Sequence, residues 1–231
     1  RAARAPGQEH AAVGRARVPR AVRGRQAERR GRELLCLPKD ALAQIGIEVE
    51  TVEDVIITHL HYDHAGTSAD FPHARFHLQD LEMQFATGRY MRHEAMRHAF
   101  SVDDVIEIVR RVYDGRVVFH DGDDELAAGV SVHLVGGHTM GLQCVRVNTQ
   151  RGWVVLASDA SHFYDNMLLG APFPIVYDVG QMLEGYATLR RWADSDAHVI
   201  PGHDPLVLQR YPPARADLAG AVARLDLPPS E

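Results

Sequence analysis

The sequence predicts an α/β protein in which mixed sheets are covered by helices. Short apolar runs of strand length alternate along the chain with segments of helical period. Some strands are joined by a tight hairpin and others are separated by helices, which argues against a purely parallel sheet. Four apolar strands end at once in a histidine or aspartate beside turn residues, the usual place for a site built on loops.

The alternation starts at Glu33. Residues 37–45 read as a short helix, with Pro38 near its start, where a missing N–H is harmless, and Gly46 at its end. Residues 55–58 form an apolar strand that runs into His59-Leu60-His61-Tyr62-Asp63-His64, and residues 74–78 form the next strand. Residues 79–85 and 90–100 read as helices, and a third over 102–112 puts Val105, Ile108, Val109 and Val112 on one face. Strands follow at 117–119 and 130–135. Residues 143–148 and 153–158 flank Thr149-Gln150-Arg151-Gly152 as a hairpin. A helix over 181–193 aligns Met182, Tyr186, Leu189 and Ala193, and a strand over 197–200 ends at Pro201-Gly202-His203-Asp204.

At 231 residues, 45% apolar and 24% charged, the chain suits one large globular domain and excludes a collagen-like, coiled-coil or wholly disordered chain. Its charge is uneven. Residues 1–32 carry ten Arg against Glu9 and Glu28, a net +8, so the total of −6 leaves −14 on the remaining 199 residues. The Arg-rich segment has no aromatic residue and no period, and is read as a disordered or artefactual leader, with the domain proper at 33–231. A body at −14 speaks against nucleic acid as a partner, since phosphate binding calls for a basic surface. No run approaches the roughly 18–20 apolar residues of a membrane span, and the N-terminus lacks the apolar stretch of a secretory signal. Cys36 and Cys144 form no C-x-x-C pair, which excludes a thiolate zinc cage and fits a reducing cytoplasm.

Chemistry concentrates after the strands. His59, His61, Asp63 and His64 fall within six positions. In extended backbone residues i and i+2 project to one side, so His59 and His61 can reach one metal ion while the following turn carries Asp63 and His64 to a second. Imidazole and carboxylate suit Zn²⁺, Fe²⁺ or Mn²⁺. Three further strands lead into His138, Asp159 and His203. Residues 83–100 hold Met83, Phe85, Tyr90, Met91, Met96 and Phe100, which read either as core or as an adaptable apolar wall for an acyl chain. His73, His77, His93, His98, His120, His133 and His198 read as surface or satisfied core residues, and Asp204 as an imidazole's partner or a turn cap.

The ordered motifs T-H-L-H-Y-D-H-A-G at Thr58–Gly66, G-G-H-T at Gly136–Thr139, S-D-A at Ser158–Ala160 and P-G-H-D at Pro201–Asp204 resemble the metallo-β-lactamase superfamily over residues 35–212. The resemblance implies an αβ/βα sandwich with a dinuclear metal site at one edge of two facing sheets. His59, His61 and His138 would hold one ion, Asp63, His64 and His203 the other, and Asp159 would bridge them, with a metal-bridging hydroxide as nucleophile. Zn²⁺ is the first choice of metal, with Fe, Mn or Co as alternatives.

The stretches from Ser158 to Tyr164, Pro172 to Val176 and Pro201 to Pro205 are similar to the N-acyl homoserine lactonase-like, quorum-quenching group, which implies a small lactone or ester as substrate. In that group a Tyr three residues after the bridging Asp orients the lactone. His162 stands there in this chain, with Tyr164 two residues on, so His162 and Tyr164 join Asp63 and Asp159 as catalytic candidates. Tyr164 reads equally as a packing aromatic. A thioester or other ester hydrolase of the same fold is the alternative, as is an inactive truncated metal-binding member. The truncation is expected because the superfamily places a strand pair and an Asp-Thr-Gly motif upstream, where this chain has only the Arg-rich leader; losing those strands would expose a sheet edge.

Overall fold

The computed structural model describes residues 36–230. The Arg-rich leader and the expected loss of upstream strands therefore lie outside the described residues. Helix α1 (Pro38–Gln44) comes first, with Pro38 in its first turn. Strands β1 (Asp54–Ile56), β2 (Arg75–Gln79) and β3 (Val117–His120) then pair in parallel in that order. Parallel neighbours need long crossovers. Helix α2 (Tyr62–Ala65) lies in the first, and α3 (Asp80–Thr87), α4 (Glu94–Arg97) and α5 (Val102–Tyr113) lie in the second. Four of the five β2 residues are buried, as expected of a strand covered on both faces.

The second sheet has the order β4 (Asp124–Ala127), β5 (Val130–Leu134), β6 (Gln143–Thr149), β7 (Gly152–Ser158) and β8 (Val199–Pro201). It is antiparallel except for the last pair, whose crossover contains α6 (Tyr164–Leu169) and α7 (Val179–Trp192). Helix α8 (Leu206–Arg210) follows β8. The hairpin between β6 and β7 closes as its sequence predicts, with the Thr149 hydroxyl donating to the Gly152 carbonyl at 2.8 Å. Of the two sheets, this one is mixed, whereas the first is parallel over its described strands.

Each sheet has its own apolar core. Ile57, Leu60, Phe76, Leu78, Val105 and Ile108 fill one, and the stripe of α5 supplies the last two. Leu142, Cys144, Val155, Met182, Tyr186 and Leu189 fill the other beneath α7. Buried amides join β2 to β6: Gln79 Nε2 donates to Gln143 Oε1 at 3.0 Å, and Gln143 Nε2 donates to the Ile57 carbonyl at 2.8 Å. Both glutamines are fully buried, and their hydrogen bonds satisfy polar atoms that would otherwise be costly there.

Two elements differ from expectation. Residues 90–100 do not form one helix, because His93 is extended (φ −95°, ψ 126°) and separates a 3₁₀ turn, Arg89–Arg92, from α4. The two ends are held by different partners: Tyr90 packs on Phe85, while Phe100 pairs with His61 in an isolated bridge. Strand β4 carries no apolar alternation, since only Leu126 is even half-buried; its pairing with β5 makes it a strand. Among the described residues, no helix is long and apolar enough to cross a membrane.

Candidate metal centre

Four loops at the C-terminal ends of strands converge. The loop after β1 brings His59 and His61 and then α2, whose first turn presents Asp63 and His64. The loops after β5, β7 and β8 bring His138, Asp159 and His203. At the end of β7 the register with β8 shifts, and Ser158 takes a left-handed conformation (φ 47°), uncommon for a residue with a side chain and frequent at functional sites. Gly202 faces this turn. A Cβ there would lie 2.7 Å from the Ser158 carbonyl oxygen and 3.1 Å from Asp159 Oδ1, so only glycine lets the two loops approach. The Gly202 and His203 N–H groups donate to the Ser161 and His162 carbonyls, each at 3.0 Å, which fixes the β8 loop against the β7 loop.

Ring nitrogens of three histidines converge. His138 Nδ1 donates to the Ile175 carbonyl at 2.6 Å, so the neutral ring leaves Nε2 without a proton. That Nε2 stands 2.9 Å from His61 Nδ1, and His59 Nε2 stands 3.1 Å from the same atom. One His61 proton cannot serve both contacts. Burial, then the neighbouring imidazoles, pushes the His59 pKa well below its usual value. Burial likewise lowers His61 to about 2 and His138 to about 4, so all three rings are neutral at ordinary pH.

Donors held at about 2.0–2.1 Å by one ion stand roughly 2.9–3.4 Å apart for angles from octahedral to tetrahedral. The separations among His59, His61 and His138 fit a shared divalent ion on that measure.

The Asp159 carboxylate faces two donor sets. Its Oδ1 lies 3.1 Å from both His64 Nε2 and His203 Nε2. Its Oδ2 lies 2.8 Å from His162 Nε2, 3.3 Å from His138 Nε2 and 3.8 Å from His59 Nε2. Burial acts to raise the Asp159 pKa, but hydrogen bonds from His162, His203 and His64 outweigh it and hold the carboxyl well below the usual range. Four overlapping groups have ligand atoms within 4.8 Å of one another: His59, His61 and His138; His59, His64 and Asp159; Asp63, His64 and His203; and His138, Asp159 and His162. All seven residues expected to hold metal are thus brought together, and His162 is brought in beside them. Burial is graded across the cluster: His59, His61, His138 and Asp159 are buried, whereas Asp63 and His203 are exposed, so the centre opens at that end.

Aromatic rings border the closed side. Phe173 stacks on His162 at 3.4 Å and 10°, and Phe100 meets His61 edge-on at 4.5 Å. Phe85 touches Phe100 and Tyr177, and Tyr90 touches Tyr177. Part of the 83–100 stretch therefore stands beside the histidines, and Met83 and Phe100 also pack against the core of the first sheet.

Tyr164 does not join the centre. Its ring is in the core with Met167 and Leu189, beneath the Arg210 guanidinium at 4.4 Å, and burial pushes its phenol up to about 12. The chain enters α6 at this residue, which turns the side chain inward. Asp204 serves as a cap, accepting from the Tyr164 and Leu206 N–H groups at 3.0 and 2.9 Å. Among the histidines without motif support, His77 and His120 stack in the first sheet and bond to Asp54 and Asp124.

Sequence reasoning quoted Thr58 and Phe173 within motifs without giving either a role, and passed over Glu82. The Thr58 hydroxyl lies 2.9 Å from Ser158 Oγ and 3.3 Å from His59 Nδ1, linking the β1 and β7 loops. Glu82 left a signal: with Phe85 and Ala86 it forms the buried stripe of α3, an acidic residue where the period calls for an apolar one.

This fold, with imidazoles and carboxylates gathered at strand ends, defines a metal-centre protein of the αβ/βα kind. The chain belongs to the metallo-β-lactamase superfamily, whose sequence profile matches residues 23–203. It is 27% identical over 195 residues to a Mycobacterium tuberculosis protein named "Probable metallo-hydrolase", covering 73% of this chain and 60% of that protein. It is 30% identical over 133 residues to an N-acyl homoserine lactonase of a Bacillus species, covering 57% of this chain and 48% of the relative. Among solved structures, an N-acyl homoserine lactone hydrolase with the product N-hexanoyl-L-homoserine bound at its catalytic metal center superposes with a TM-score of 0.60. The identity there is 24%, over 72% of this chain and 61% of that one. The chain spans less than two thirds of the length of each of these proteins.

Proposed function

We propose that the protein is a metal-dependent hydrolase with two divalent ions, most readily Zn²⁺, that opens a lactone such as an N-acyl homoserine lactone. The observation that carries this reading is the Asp159 carboxylate, whose two oxygens face separate histidine sets. Two divalent ions held there would lower the pKa of a shared water toward neutrality, polarise an ester carbonyl and favour the developing oxyanion.

The chain's own residues supply the rest. Stacking on Phe173 fixes the His162 ring with its Nε2 2.8 Å from Asp159 Oδ2; with an ion on that oxygen, the Nε2–H would be free to donate to the carbonyl or to the leaving alkoxide. Asp63 and His203 stand at the exposed end, where substrate enters. Phe100 and Tyr177, both half-buried and both packed on the buried Phe85, offer an apolar surface to an acyl chain. In the reaction water adds across the ester C–O bond, the ring opens to a hydroxy acid, and the acid releases one proton.

The test pairs elemental analysis of purified full-length protein with proton release from a short-chain and a long-chain acyl homoserine lactone. Two metals per chain and lactone turnover support the reading. Two metals without turnover would move the assignment to thioesters or other esters, and a folded chain that takes up no metal would overturn it.

A further inference from the structure

Glu82 is buried in the first turn of α3, and its hydrogen bonds reach both loops that carry the buried histidines. Glu82 Oε1 accepts from the Leu60 N–H at 2.8 Å, and Leu60 stands between His59 and His61. Glu82 Oε2 accepts from the Thr139 hydroxyl at 2.6 Å and from the Gly141 N–H at 3.2 Å, in the loop that follows His138. That loop lies directly on α3. A Cβ at Gly141 would come 2.0 Å from the Glu82 nitrogen and 2.5 Å from its Cα, so the approach requires glycine at 141.

A buried carboxylate is expensive, and burial pushes this one up to about 7 against the pull of its three hydrogen bonds. An apolar side chain would fill the stripe of α3 at lower cost. What an apolar residue cannot do is hold two loops by their donors. His59 and Leu60 lie outside helix and strand, and a rotation of the peptide that carries the Leu60 N–H would swing the rings on either side of it together.

We propose that Glu82 is a positioning residue that fixes His59 and His61 relative to His138 and so sets the affinity of the ion these three hold. The inference rests on reading these histidines as metal ligands. Outer partners of metal ligands typically govern about 10–100-fold in metal affinity.

The experiment measures cobalt(II) binding to the full-length protein by competition with a chelator, together with the visible spectrum of the cobalt form and the melting temperature of the metal-free form. Glu82→Gln keeps the shape and one acceptor for Leu60, but turns an amide NH₂ toward the Gly141 N–H. It is expected to weaken binding of the tighter ion by about 10–100-fold and to shift the cobalt bands. Glu82→Ala removes every acceptor and is expected to do more. If Glu82→Ala fails to fold, Glu82→Gln carries the test.

A folded Glu82→Gln protein with wild-type affinity and spectrum would overturn the proposal. So would a lowered melting temperature with both unchanged, since that marks a role in stability alone. Wild-type protein that takes up no cobalt would overturn the underlying metal reading, and this inference with it, which is a different result from variants that bind as well as the wild type.

Discussion

The two oxygens of Asp159 divide the imidazoles between them, His64 and His203 on one and His138, His59 and His162 on the other. Asp159→Ala removes the shared acceptor of both sets. It is expected to abolish lactone hydrolysis and to lower metal content below two ions per chain, measured by proton release and elemental analysis on one preparation. His162→Ala should separate chemistry from metal binding: turnover falls about 10²-fold or more, the usual worth of a positioned proton donor, while metal content holds. Tyr164→Phe should change turnover by less than about threefold, because its ring lies beneath Arg210 in the core and only a side chain reaching the reacting atoms contributes such a factor. Equal losses in His162→Ala and Tyr164→Phe would reverse this assignment of roles.

At the scale of elements, loops that follow strands approach one another closely, and the close approaches are specific. Gly202→Ala would press a Cβ on the Ser158 carbonyl and toward Asp159 Oδ1, moving the β8 loop that carries His203. The expected outcome is loss of one ion before the other, seen as a metal content falling from two toward one with the melting temperature changed little. The buried histidines of the β1 and β5 loops also tie stability to pH in the metal-free protein. His138 and His61 have folded pKa values of about 4 and about 2, below the unfolded value of 6.5, so the unfolded chain binds more protons in between. Their contribution is present above pH 6.5 and is lost as pH falls toward 4. Glu82 acts oppositely, since its pKa is raised from 4.5 to about 7 and its contribution is lost as pH rises through that range. Because three histidines, His59 included, oppose one carboxyl, the melting temperature of metal-free protein should fall as pH drops from 6.5 to 4. In Glu82→Gln the fall should be steeper, as the compensating carboxyl is gone. A flat profile in both would contradict the assignment of neutral buried rings.

For the molecule as a whole, two sheets with separate cores meet at buried amides and at the histidine cluster. Metal that binds the folded chain alone stabilises it by mass action, about 2.7 kcal/mol at a free concentration one hundred times the dissociation constant. Adding Zn²⁺ to chelator-treated protein should therefore raise the melting temperature, and the rise should shrink in Asp159→Ala. The histidine-rich run after β1, the histidines and aspartate after β5, β7 and β8, the hairpin and the stripes of α5 and α7 were all legible in the sequence, because local spacing and apolar period express them directly. Strand β4 and the break at His93 were not legible, because pairing with β5 and the separate anchoring of Tyr90 and Phe100 decide them. By itself, then, the sequence determined the side-chain types gathered at the strand ends, their order and the superfamily. Tertiary structure alone decided that Tyr164 faces the core while His162 faces Asp159, and that Glu82 spans the β1 and β5 loops. Both depend on contacts between segments far apart in the chain, and no local period records which way a side chain turns when distant loops close on one another.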